Sequence, residues 1–126
     1  MTITCTFLHE QNYLKVIASG PITFEEVRTH LLIERHEHGL AYPELIDAGT
    51  ATPSWTSAQA REIVSQVTSI AKESALGPTA IVVSDAHSYG MIRMLEILLD
   101  QVCILRPFYH YDEAVKFLQA FPSTTA

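Results

Sequence analysis

A few groups of side chains in this sequence have types and spacings suited to chemistry. His30, Glu34 and His38 follow one another at i, i+4 intervals, which stacks them on one face of a helix with His36 nearby. Imidazoles and a carboxylate are the donors of a zinc site. Yet such a site takes about four ligands, no cysteine stands near, and His36 points away from His38. The ordinary reading is a solvated, salt-bridged face shared with Arg35 and Glu37, and no metal is expected. Ser84, Asp85, His87 and Ser88 crowd one strand-to-helix turn, with His110 at a neighbouring strand end, and offer the nucleophile, base and carboxylate of a hydrolase. No G-x-S-x-G elbow accompanies them, and adjacent residues of one turn do not fall into the order of a triad. Asp85 or Ser84 is better read as a helix N-cap. Asp47 ends a strand, where an Asx bond to its own turn and acid–base work suit it equally. Arg93 is a lone cation on a greasy helix; it lays its stem on that surface or pairs with a carboxylate or ligand, and Glu96 is an available intrahelical partner.

The elements that position these groups follow from periodicity. Thr2 to Leu8 alternates Ile3, Cys5 and Phe7 against Thr4 and Thr6, and Tyr13 to Ala18 alternates Leu14 and Val16 against Lys15. This predicts an antiparallel pair, joined through His9 to Asn12 and ended by Gly20-Pro21. Thr23 with Glu26 forms a capping box and Ile22 with Val27 a staple, so a first helix starts there and runs to about Glu37. A short third strand, Glu44 to Ala48, leads into the turn formers Gly49 to Ser54. Thr56 with Gln59 repeats the capping box and opens a second helix, whose Ala60, Ile63, Val64, Val67 and Ile70 recur at helical spacing until Gly77-Pro78 ends it. Thr79 to Val83 is a continuous apolar run, expected at the centre of the sheet. The third helix has only Arg93, Glu96 and Asp100 as polar interruptions, so it has to bury more than one face, and a homodimer contact is the expectation. Val102 to Leu105 reads as the fifth strand, closed by Arg106-Pro107, and Asp112 to Phe121 as the last helix. Pro122 to Ala126 should fray.

Composition bounds the rest. With 126 residues, 48% of them apolar, the chain has material for one core, so a single domain spanning 1–126 and folded over 1–121 is expected. No window reaches the ~18 apolar residues that cross a bilayer, and no basic stretch followed by an apolar run opens the chain, so a cytoplasmic location is expected. A formal charge of −6, with eight basic residues scattered singly, gives no footprint for nucleic acid or anionic lipid. Cys5 and Cys103 fall in strand-like runs and read as small buried thiols.

An order of ββαβαβαβα implies an α/β fold with a mostly parallel sheet and an N-terminal antiparallel hairpin. Ligands in such sheets bind at the carboxyl ends of the strands, which gathers Asp47 to Thr56, Ser84 to Tyr89 and Arg106 to Tyr111. Trp55, Tyr89, Phe108, Tyr109 and Tyr111 fall in these segments, as a pocket wall, a protein-binding patch or a lid on the core. A strand ending in Leu45-Ile46-Asp47, a Ser/Thr-bearing turn and an amphipathic helix together resemble the STAS domain of anti-sigma-factor antagonists, over nearly the whole chain. Tyr89-Gly90-Met91-Ile92-Arg93-Met94 is similar to the third helix of small bacterial SpoIIAA-like, STAS/SEC14-like proteins of undefined function. The resemblance implies a SpoIIAA-like (STAS) fold. In STAS antagonists a serine within Asp-Ser-Ser-Gly, at the start of the second helix, is phosphorylated and switches partner binding. Here Pro53-Ser54-Trp55-Thr56 stands in that place, so only Ser54 and Thr56 could inherit the phosphorylation, and Thr56 also reads as a plain N-cap. The wider fold class includes lipid-exchange domains, which makes an apolar ligand conceivable.

No phosphate-binding glycine loop, metal-ligand spacing or nucleophile motif appears in the sequence. The expectation is a non-catalytic regulatory or protein-binding module without a cofactor. Its partner or ligand surface would draw on Asp47, Ser54, Trp55 and Thr56, on Ser84, Asp85, His87 and Tyr89, and on Arg93, Arg106 and Tyr109. One alternative is a carrier of a small apolar or lipid-like ligand beside the third helix. Another is a small hydrolase acting through His87 or His110.

Overall fold

The two alternating runs at the start of the chain pair as their pattern requires. In a computed structural model, which describes residues 2–8, 13–31 and 41–121, β1 (Thr2–Leu8) is antiparallel to β2 (Tyr13–Thr23), with Thr2 opposite Ser19 and Leu8 opposite Tyr13. The connection through His9 to Asn12, the stretch 32–40 and the tail 122–126 lie outside the described residues, as does the Cys5 side chain.

Gly20-Pro21 does not end β2. Gly20 takes a φ of 69°, a backbone open to glycine, and the strand continues to Thr23. Its continuation is held by β3 (Glu44–Ser54), which is likewise longer than its turn-forming residues suggest: Ser19 pairs with Thr50 and Thr23 with Ser54. A register shift between Ile17 and Ser19 separates this arm from the main sheet. On its other side β3 meets β4 (Thr79–Val82) only over Glu44 to Asp47, so its outer half is paired to β2 alone.

The strand order is β1-β2-β3-β4-β5, with every pair after the first parallel. The middle strand is therefore β3. The apolar run at β4 is buried throughout but lies one place from the edge. The edge strand β5 (Leu105–Phe108) begins where the sequence suggests an end, because residues 99–103 are spent on turns in which the N–H groups of Val102 and Cys103 donate to the Leu99 carbonyl. Cys103 thus sits half-buried in a turn and not in a strand. Pro107 is accepted inside β5 because an edge strand has one side without a ladder.

Capping starts the helices as read. Thr23 Oγ1 accepts from the Glu26 N–H at 3.2 Å and opens α1 (Phe24–Thr29); Thr56 Oγ1 accepts from the Gln59 N–H at 3.1 Å and opens α2 (Ser57–Glu73). Asp85 Oδ1 accepts from the Ser88 N–H at 2.8 Å and opens α3 (Ala86–Leu98), whereas α4 (Tyr111–Gln119) begins without a side-chain cap, one residue earlier than expected. After Thr29 the backbone widens into a π-type turn at His30 and Leu31; the rest of the expected first helix lies outside the described residues.

Alternation along the strands divides the core. Leu45, Ala80 and Val82 face α4 through Ala114 and Leu118. Their neighbours Ile46, Ile81 and Val83 face α2 and α3 through Ala60, Ile92 and Leu95, while Val27 of α1 covers Ala18, Ile22 and Ala51. At Gly77 the turn before β4 presses on the one before β3, for a Cβ there would stand 2.4 Å from the Tyr42 carbonyl oxygen. Gly77→Ala is therefore expected to lower unfolding free energy by about 1–3 kcal/mol. Gly90→Ala, where a Cβ meets nothing within 4 Å in mid-helix, is expected to raise it by about 0.5–1 kcal/mol. Urea titrations of the two variants measure both, and equal effects would contradict the close approach at Gly77.

Candidate functional site

Helices α1 to α3 lie over one face of the sheet and with it line a cavity of about 170 Å³. Val16, Ala18, Ile46 and Ile81 form part of its floor; Ile63 and Val67 come from α2, and Ile92 and Leu95 from α3. Branched aliphatic side chains on a parallel sheet and on the inward stripe of two amphipathic helices make such walls apolar by default.

The polar groups on that wall are few. His30 and Glu44 are 5% and 1% exposed, and His30 Nε2 lies 2.6 Å from Glu44 Oε2. His30 is therefore buried against the strand, not part of a solvated helix face. Glu34, His36 and His38 lie outside the described residues, and among the described residues no three His, Cys, Asp or Glu side chains are placed to hold a metal ion. Glu44 shares the inward parity of Ile46, which puts a carboxylate on the core side of a central strand. Burial of that kind is tolerated only with a partner, and His30 supplies one. The strand parity was readable from the sequence; the pairing partner, 14 residues away across a crossover, was not.

Trp55 takes the pocket-wall placement among those expected of it. It follows the β3 arm, turns inward and packs against the buried clusters around Ile81 and Ile92, Ile22 and Ala51, and Ile63 and Val67, on the cavity wall. Its indole Nε1 is buried and has no hydrogen-bond partner.

The strand-end segments do meet, in pairs. Ser84 Oγ donates to the Gly49 carbonyl at 2.7 Å, and the rings of Tyr89 and Tyr109 stack at 4.6 Å and 6°. Asp47 Oδ1 accepts from the Gly49 N–H at 3.3 Å, an Asx-type bond made within β3, where its pairing with β4 ends. The Ser88 N–H, together with the Ser88 hydroxyl and nearby His87, holds the Asp85 carboxyl below the usual carboxylate range. The hydroxyls of Ser84 and Ser88 donate to Gly49 and Asp85, not to a histidine, so the turn is built as a cap. Arg93 Nη1 binds Glu96 Oε1 at 2.6 Å, and Glu96 Oε2 lies 3.6 Å from Arg106 Nε, tying α3 to β5. Ser54 is exposed at the end of the arm, while the Thr56 hydroxyl is engaged in capping α2.

The expected aromatic cluster is divided by strand alternation. Phe108 packs on Phe117 of α4 with centroids 5.3 Å apart, and Tyr111 joins Tyr13 on that same side, with Lys15 Nζ 5.0 Å from the Tyr111 ring centre. Tyr109 is 47% exposed next to them. Burial, reinforced by the hydrogen bond and charge of Tyr111, pushes the Tyr13 hydroxyl from 10.0 up to about 12.

The fold assembled from these elements is similar to that of an uncharacterized protein of the DUF3478 family from Shewanella loihica PV-4, whose crystal structure has a SpoIIAA-like fold. The TM-score is 0.60 at 18% identity, over 92% of this chain and 93% of that one. The chain thus has a SpoIIAA-like fold. No protein-family model and no curated protein matches the sequence. No helix among the described residues is long and apolar enough to cross a membrane.

Because the folded state raises the Tyr13 pKa, its neutral hydroxyl contributes stability that is whole below pH 10 and lost as pH climbs towards about 12. Tyr13→Phe should flatten the fall of stability over that window, as denaturant titrations at successive pH values will show; an unchanged slope would contradict the assignment. Glu44→Ala removes a buried partner of His30 and should cost about 3–5 kcal/mol. Removal of the exposed Arg28, 3.6 Å from Glu25, should cost less than about 1 kcal/mol in the same assay.

Proposed function

We propose that this SpoIIAA-like domain is a non-catalytic carrier or sensor of a small apolar molecule held between its sheet and helices α1 to α3. The cavity of about 170 Å³ beside α3 carries this reading. Side chains lining such a space lack partner atoms on one side and forgo the dispersion contacts a filled core would give them. An apolar cavity of about 150 Å³ is sufficient to take up benzene. An occupant with one ring or a short chain would restore the lost contacts.

A regulatory, partner-binding role at the strand ends is the second reading. It is supported by the exposed Tyr109 stacked on Tyr89, beside the Arg93–Glu96–Arg106 bridge, and by the resemblance to anti-sigma-factor antagonists. The two are compatible, since α3 borders both places.

Native mass spectra compared with denaturing ones should show a small adduct that is lost on unfolding. Thermal melts with benzene-sized hydrocarbons should gain stability with concentration as ligand linkage requires. Ala18→Leu, which puts three extra carbons into the cavity wall, should abolish that gain. A protein that carries no adduct and melts identically with every such compound is not a carrier of this class.

A further inference from the structure

The carrier reading leaves the ligand's chemistry open, and one atom narrows it. Trp55 is the only tryptophan of the chain, its ring lies on the cavity wall, and its Nε1–H is buried without an acceptor. Native proteins pair such donors almost without exception, because an unmet one carries its full desolvation cost. Gln66 Oε1 is the other buried atom without a partner among the described residues, but Gln66 does not line the cavity. His30 and Glu44 already bind each other, and Ser88 Oγ donates to Asp85, so Trp55 is the wall group with an unmet donor.

Resting on the carrier reading, we propose that the occupant is a small neutral molecule of about one ring, bearing a single oxygen acceptor that takes the Trp55 indole N–H. Size follows from the volume, close to that of cavities that hold benzene. Neutrality follows from the walls: a carboxylate would enter an apolar space beside the Glu44 carboxyl, with only one neutral donor to receive it. A ketone, aldehyde or ester oxygen meets the requirement. Nε1 is screened from water, so the indole has to turn slightly as the acceptor arrives, and the N–H itself reports the event.

The test compares acetophenone with cumene, alike in size and shape but differing in the carbonyl oxygen. With ¹⁵N-labelled protein, the single indole N–H cross-peak should move downfield with acetophenone and not with cumene. Acetophenone should bind roughly three- to tenfold more tightly, the worth of one net hydrogen bond. Trp55→Phe keeps an aromatic ring but no donor, and should bind the two compounds alike; retained cumene binding shows that its cavity is intact. Equal affinities in the unaltered protein, with no downfield shift, would overturn this inference and leave the carrier reading standing. Binding of neither compound would overturn both.

Discussion

From β2 to β5 each parallel connection steps to the adjacent strand in the same direction, and a right-handed crossover then has no choice of face. Helices α1, α2 and α3 are all delivered to one side, and only α4, which follows the last strand and crosses to nothing, covers the other. Three helices over one face leave spaces between them that a single helix would not. The cavity is a product of this topology before it is a product of any residue.

Within that frame the buried pair and the arm shape the walls. Glu44 opens the central strand on the helix side, where a carboxylate is tolerated only because His30 of the first crossover comes down on it at 2.6 Å. The pair thereby fixes the start of β3 against the end of α1. At the opposite end, β3 outruns β4 and is carried on by β2 alone, so that the chain can turn back and lay Trp55 between the arm and α2. One strand therefore positions both the buried His30–Glu44 pair and the indole of the cavity wall.

Element order, the antiparallel start, the capping boxes at Thr23 and Thr56 and the SpoIIAA-like fold were legible because they depend on local patterns: alternation, 3.6-residue periodicity and T-x-x-E/Q spacing; for α3 the pattern left Ser84 and Asp85 as caps, and Asp85 holds the place. Three of the misread boundaries share one cause. Gly20-Pro21, Gly49 to Ser54 and Arg106-Pro107 are turn formers by composition, yet all lie in strands, since a neighbouring strand or a free edge decided their conformation. The site was harder. Ser84 and Asp85 do occupy a strand end, engaged in a backbone contact and a cap, and Asp47 lies within β3 where its pairing with β4 stops, but His30 and Trp55 are set by contacts across crossovers, which no window of sequence contains.

The cavity owes part of its volume to small side chains. Its floor under α1 and the arm is made of Ala18, Ala48 and Ala51, in strand positions where this chain elsewhere places valine, isoleucine or leucine. Each alanine could grow by two or three carbons without breaking the alternation that defines its strand, and stabilising replacements of this kind are commonly within reach of natural sequences. On the carrier reading, small side chains in the floor, a large indole at the border and the hydrogen-bonded His30–Glu44 pair in the wall would divide the labour of a binding site. The alanines would make the volume, the aliphatics would keep water out, and the Trp55 donor would give an occupant a direction.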